Sequence, residues 1–167
     1  SVDTTTGINY TTAVGYDALK ALTTGAGNVA LGYSALTGVT IGNRNIAIGY
    51  GAQDGATSGA YDDNVAIGYD AMGGAISTAY VSACVAIGNY AMDGALTTTV
   101  DGSVAIGYNA LGALTSGAGN TAVGYTALDE LTTGNYNTAL GYSALHQMDS
   151  GEEHMTAVGY NAGDAAD

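Results

Sequence analysis

One short pattern of apolar, small and polar positions recurs nine times along the chain. Each copy opens with an aliphatic residue or Thr, then Ala, a second aliphatic residue and Gly. A position held by Tyr in eight copies follows, then a variable position, Ala and, in most copies, Leu or Met. The copies occupy residues 12–19, 29–36, 46–53, 65–72, 85–92, 104–111, 121–128, 138–145 and 156–163, as in VAIGYNAL from Val104 and VALGYSAL from Val29. Their glycines lie 17, 17, 19, 20, 19, 17, 17 and 18 residues apart. That spacing is too short for helical repeats, which need on the order of 33 residues or more. β-Branched residues alternating with Ala favour strands, and a recurrent Gly would cost a helix about 1 kcal/mol at each copy. Links such as Thr23 to Asn28 and Thr132 to Asn137 are rich in turn formers. The pattern predicts an all-β chain, a single repeat domain over 1–167, coiled as a parallel β-solenoid or β-roll of about nine turns. At about 4.8 Å per turn the rod would be roughly 43 Å long.

Column by column, the copies assign different tasks. The first and third positions, such as Val104 and Ile106, are expected to fill the inside of the coil. The second and fourth are Ala and Gly in every copy: Ala13 and Gly15, Ala30 and Gly32, Ala47 and Gly49, Ala66 and Gly68, Ala86 and Gly88, Ala105 and Gly107, Ala122 and Gly124, Ala139 and Gly141, Ala157 and Gly159. A solvated face would drift to other residues, so this one is expected to meet a closely approaching backbone, either the coil's opposite arm or, preferably, an adjacent subunit. A second apolar pair, such as Leu19 with Leu22 or Met92 with Leu96, is expected to close the core from the other arm. The longer middle repeats place extra residues in loops 59–63 and 78–83, expected to bulge outward as a binding face. Asn28, Asn45, Asn64, Asn120 and Asn137 precede their cores and suggest a stacked hydrogen-bonded column, with Cys84 replacing one member. Tyr16, Tyr33, Tyr50, Tyr69, Tyr108, Tyr125, Tyr142 and Tyr160 would stack at one-turn intervals. They read either as packing at a bend or seam or as a surface-binding aromatic strip.

Composition changes this picture in one respect. Leu, Ile and Val together make up only 30 of 167 residues, Phe is absent and the net charge is −13, values typical of disorder. Order must come from the repeated small residues and from Tyr, of which there are 27 Gly and 13 Tyr. Lys20 and Arg44 are the only Lys or Arg, so nucleic acid and anionic lipid are poor partners. A single cysteine gives no intrachain disulfide framework, and no 18-residue apolar run suggests membrane insertion. A start at Ser1 reads as a processed product or a piece of a longer chain.

No converging acid, base and nucleophile set is legible, so no catalytic residue and no cofactor is assigned and the chain is not read as an enzyme. Glu152, Glu153 and His154 alternate in direction and read as a solvated turn rather than a metal site. Asp62 and Asp63 lack the glycine-aspartate pattern of calcium-binding rolls. His146 is the other histidine.

The cores NIAIGY from Asn45, NVAIGY from Asn64 and SVAIG from Ser103 resemble the head repeats of trimeric autotransporter adhesins, the YadA-type head. NTAVGYTAL from Asn120 and NTALGYSAL from Asn137 resemble repeats of phage tail fibres. The resemblance implies a left-handed β-roll, three chains side by side, and host attachment at a virion or cell surface. The neck, stalk, anchor and C-terminal chaperone domain that accompany such repeats have no counterpart in this sequence. The implied partners are the chain itself, as a homotrimer, and a host-surface glycan or protein. A head-to-tail filament subunit is the alternative; ice binding through Thr97 to Thr99 and a polysaccharide-cleaving fibre rank lower.

Overall fold

The computed structural model describes residues 8–55, 60–76, 80–97 and 100–164. They form short strands: β1 (Ile8–Asn9), β2 (Thr12–Val14), β3 (Gly25–Ala26), β4 (Val29–Leu31), β5 (Ile41–Asn43), β6 (Ile46–Ile48) and β7 (Ala60–Asp62). The remainder are β8 (Val65–Ile67), β9 (Val81–Ser82), β10 (Val85–Ile87), β11 (Val104–Ile106), β12 (Thr121–Val123), β13 (Thr138–Leu140) and β14 (Thr156–Val158). The nine core strands, from β2 to β14, stack into one parallel sheet. Each Ala lies beside the Ala of the next turn, as Ala86 beside Ala105 and Ala122 beside Ala139. The opposite arm contributes β1 with β3 and the three-stranded ladder of β5, β7 and β9. The chain is therefore a β-solenoid of about eight turns, roughly 38 Å from first to last core strand at about 4.8 Å per turn.

Strands this short need sharp corners, and residues with positive φ supply them. In most copies the sixth and eighth core positions are left-handed, as at Asn109 and Leu111 (φ 53° and 52°). A third such corner precedes the Asn column, as at Arg44 and Tyr136. A non-glycine residue there costs on the order of 1 kcal/mol. Each left-handed Leu is repaid by enclosure: Leu36, Leu111, Leu128 and Leu145 are buried, and burying such a side chain contributes about 1.5–3 kcal/mol. The second members of this apolar pair, Leu22, Val39, Ile76, Leu96, Leu114 and Leu131, are buried as well, so the pair closes the core as expected.

The expected orientation of the core strands is reversed. Ala30, Ala47, Ala66, Ala86, Ala105, Ala122 and Ala139 are wholly enclosed within a single chain, while the flanking Val, Ile and Leu residues lie on the outer surface. The coil is thin: its interior at this level already holds a second Ala column (Ala35 to Ala144) and the Leu and Met side chains. Only a methyl group fits beside them. The Ala column therefore does not face another subunit. The Gly column does meet a backbone, but it is that of the next turn. A Cβ on Gly15, Gly32, Gly49, Gly68, Gly88, Gly107, Gly124 or Gly141 would fall 2.0–2.5 Å from the following glycine's carbonyl oxygen, and φ at these positions is 129–146°.

The middle turns also differ from expectation. Tyr61 and Val81, in the segments expected to bulge outward, are fully buried on the inner side of β7 and β9. Residues 59, 78 and 79 of those segments lie outside the described residues.

Candidate functional site

Reversal of the core strands creates the most distinctive surface of the molecule. With Ala inward, the first and third positions of the nine strands project to the other side in register. Val14, Leu31, Ile46, Ile106, Leu140 and Val158 are exposed, Leu140 to 47% and Val158 to 66%. The parallel pairing sets Ile87 beside Ile106 and Val123 beside Leu140, so the row is continuous along the axis. Beyond the glycine corner each turn carries its tyrosine; eight of these are exposed and Tyr90 is half-buried. Row and ladder together form one contiguous band of exposed apolar side chains, the kind of surface that marks an interaction site.

The ladder has nine rings. Tyr16, Tyr33, Tyr50 and Tyr69 stack at centroid separations of 5.4, 4.7 and 5.4 Å, and Tyr108, Tyr125, Tyr142 and Tyr160 at 5.1, 5.0 and 5.4 Å. The missing rung is filled from the next position in sequence. Asn89 turns its carboxamide oxygen to accept from the Tyr69 backbone N–H at 3.1 Å, and Tyr90 sets its ring edge-on between Tyr69 and Tyr108. Because the stacked rings on either side of Tyr90 cover one another, these parts of the strip offer mainly edges and hydroxyls to a partner rather than free faces.

The opposite corner is a hydrogen-bonded spine that rigidifies this band. Asn45 donates its backbone N–H and its side-chain amide to Asn28 Oδ1, both at 3.0 Å, and its side-chain amide to the Tyr61 carbonyl at 2.6 Å. Asn64 and Asn137 repeat the backbone-to-side-chain link to the Asn before them. Cys84 takes the same place: its N–H donates to Asn64 Oδ1 and its thiol to the Val100 carbonyl at 3.1 Å. Burial pushes that thiol up to about 11, so it is held as an inert ladder member.

A second polar column, two residues earlier, was not foreseen. Asn43 Oδ1 accepts from the Ala26 N–H, Asp62 Oδ1 from the Asn43 N–H, Asp101 Oδ1 from the Ser82 N–H and Asn135 Oδ1 from the Ala118 N–H. Its signal was the spacing of two in Asn43-Arg44-Asn45, Asp62-Asp63-Asn64 and Asn135-Tyr136-Asn137.

The acidic candidates are engaged in this scaffold. Asp62 also accepts from the Tyr80 hydroxyl, and Asp63 pairs with Arg44, whose guanidinium holds its carboxyl below the usual range. Glu153 accepts from Asn135, and His154 stacks on Tyr136. Among the described residues no group of three or more His, Cys, Asp or Glu is placed to hold a metal ion. A shallow polar groove of about 360 Å³ runs over Ser116, Thr133, Asn135, Gly151 and Glu153. At the corner suggested for ice binding, the Thr97, Thr115 and Thr132 hydroxyls each donate to a carbonyl of the next turn; Thr98 and Thr99 lie outside the described residues. No helix among the described residues is long and apolar enough to cross a membrane.

Compared with known proteins, the chain matches no family model, no curated protein and no solved structure.

Proposed function

We propose that the chain is a rigid segment of a homotrimeric fibre that serves as spacer and host-surface contact on a virion or cell. The observation that carries this reading is the in-register row of exposed Val, Ile and Leu on β2 to β14. A water-facing sheet surface would alternate to polar residues. Here each outward position of the nine core strands is aliphatic or Thr, which suits burial against copies of the same surface. The interface thus moves from the Ala and Gly columns to Val14, Leu31, Ile48, Ile67, Ile106 and their neighbours, with the tyrosine ladder at its rim. Left-handed winding and threefold symmetry follow the resemblance of the core repeats and belong to the same reading.

Sedimentation equilibrium of the chain tests it. A trimer is expected, converted to monomer by Ile106→Asp combined with Leu140→Asp while the circular dichroism of the coil persists. A stable wild-type monomer overturns the trimer, and long filaments in electron micrographs would favour head-to-tail assembly instead. For the contact role, Tyr125→Ser with Tyr142→Ser should weaken binding of labelled rods to host cells; binding unchanged by that pair removes the tyrosine strip from the contact.

A further inference from the structure

No Lys or Arg follows Arg44, so over the last 123 residues the two histidines are the side chains able to carry positive charge near neutrality. One of them stands among carboxylates at a joint between turns. His146, in the turn after β13, places Nδ1 in hydrogen-bond contact with Oδ1 of Asp129, in the turn after β12, and Nε2 3.9 Å from Oε1 of Glu130. Asp129 is only 10% exposed, and its other oxygen accepts from Asn109 Nδ2 at 3.3 Å, one turn further back. Asn109, Asp129 and His146 thus bridge three consecutive turns. Among the described residues, the one other charged group acting on the imidazole is Asp164, beyond it.

We propose that His146 is a proton-operated clasp that fastens the last turns of the coil when charged and loosens them when neutral. A largely buried carboxylate at Asp129 keeps a cationic partner while the ring is protonated. Once the proton leaves, only neutral donors, the imidazole N–H and the Asn109 amide, remain for Asp129, and the three carboxylates that act on the ring, Asp129, Glu130 and Asp164, lose the cation between them. The hydrogen bond to Asp129, with the field of the surrounding acids, raises the proton affinity of His146 above the ordinary histidine value of 6.5, against a smaller opposing effect of burial. The stabilisation is therefore complete below 6.5 and is lost as pH rises through the higher folded value.

The experiment is a pH series on the intact chain. Ring proton shifts of His146 are followed by NMR, and backbone hydrogen exchange of residues 138–164, corrected for intrinsic rates, is compared with that of 29–53. His146 should titrate above 6.5, and the opening of 138–164 should increase on going from pH 6 to pH 8.5. Each pKa unit of elevation corresponds to about a tenfold change in the opening constant. His146→Gln, which can still donate to Asp129 but does not titrate, should abolish the pH dependence of that segment alone; Asp129→Asn should return His146 to an ordinary titration. Titration of His146 at or below 6.5, or an unchanged pH response in His146→Gln, overturns the clasp. If His146→Gln fails to fold, the Asp129→Asn titration decides.

Discussion

The turns of 17 residues and those of 19 or 20 solve the same packing problem differently. On the inner side of the second arm, the 17-residue turns carry Gly25, Gly42, Gly117 and Gly134, whereas the three long turns carry Tyr61, Val81 and Val100, all fully buried. In the short turns this position lies three residues after the inner aliphatic, as Gly134 after Leu131; in the long ones it lies four or five after, as Val100 after Leu96 and Val81 after Ile76. The short arm lies so close that a Cβ on Gly134 would fall 2.3 Å from the Glu152 carbonyl, 3.1 Å from the Leu131 side chain and 3.2 Å from Asn137 Nδ2. Added residues let the arm stand off, and a large side chain fills the gap. Insertion thickens the core rather than simply decorating the surface.

The thicker core is less perfectly satisfied. Tyr61 is fully buried, with no hydrogen-bond partner for its hydroxyl among the described residues, and burial pushes its ionisation up. Gln53 takes the Leu position of the same turn, with neither amide atom partnered among the described residues. Outside, the long turns carry Asp54, Asp70 and Asp93 on neighbouring turns. The corresponding edge of the first turn pairs Lys20 with Asp17 at 3.0 Å.

The comparison can be broken or sharpened by substitution. The largest effect is expected from giving a short turn the side chain of a long one: Gly134→Val should cost more than about 3 kcal/mol in urea unfolding, because the obstacle is backbone. The reverse exchange, Val81→Gly, should cost about 2–4 kcal/mol by leaving a cavity and a freer chain. Loss of less than 1 kcal/mol in both would mean that turn length does not set the inner residue. Gln53→Leu should stabilise by about 1–2 kcal/mol, since it removes two unpaired buried groups and restores the column; a lower urea midpoint would show that the amide has a partner. The smallest effect is electrostatic. Burial, with Asp70 and then Asp54 nearby, raises Asp93 to about 6. Its contribution is complete below 3.8 and is lost as pH rises through about 6. Asp93→Asn should therefore flatten the fall in stability between pH 4.5 and 7.5 relative to wild type, and an unchanged slope would exclude this source.

Much of the molecule was legible because repetition turns one local preference into nine. The Asn column and the tyrosine ladder could be read from identity at fixed spacing, because in a parallel in-register stack like residues must become neighbours. The second polar column escaped because its members differ: Asn43, Asp62, Asp101 and Asn135 share an acceptor oxygen rather than a name. Tyr90 looked like a lapse in the ladder, yet a left-handed corner at φ 60° brings its ring back to the stack.

By itself the sequence determined the period, the strand register and the coil, since spacing, alternation and turn residues are local properties. The direction each face of the strand takes was decided by tertiary structure. Alternation says only that Ala and its aliphatic neighbours point opposite ways. The narrow space between two arms, already occupied by the Leu and Met column, admits a methyl group and excludes Val or Ile. That steric limit exists only once the coil has closed, and it puts the chain's best hydrophobic residues on the outside.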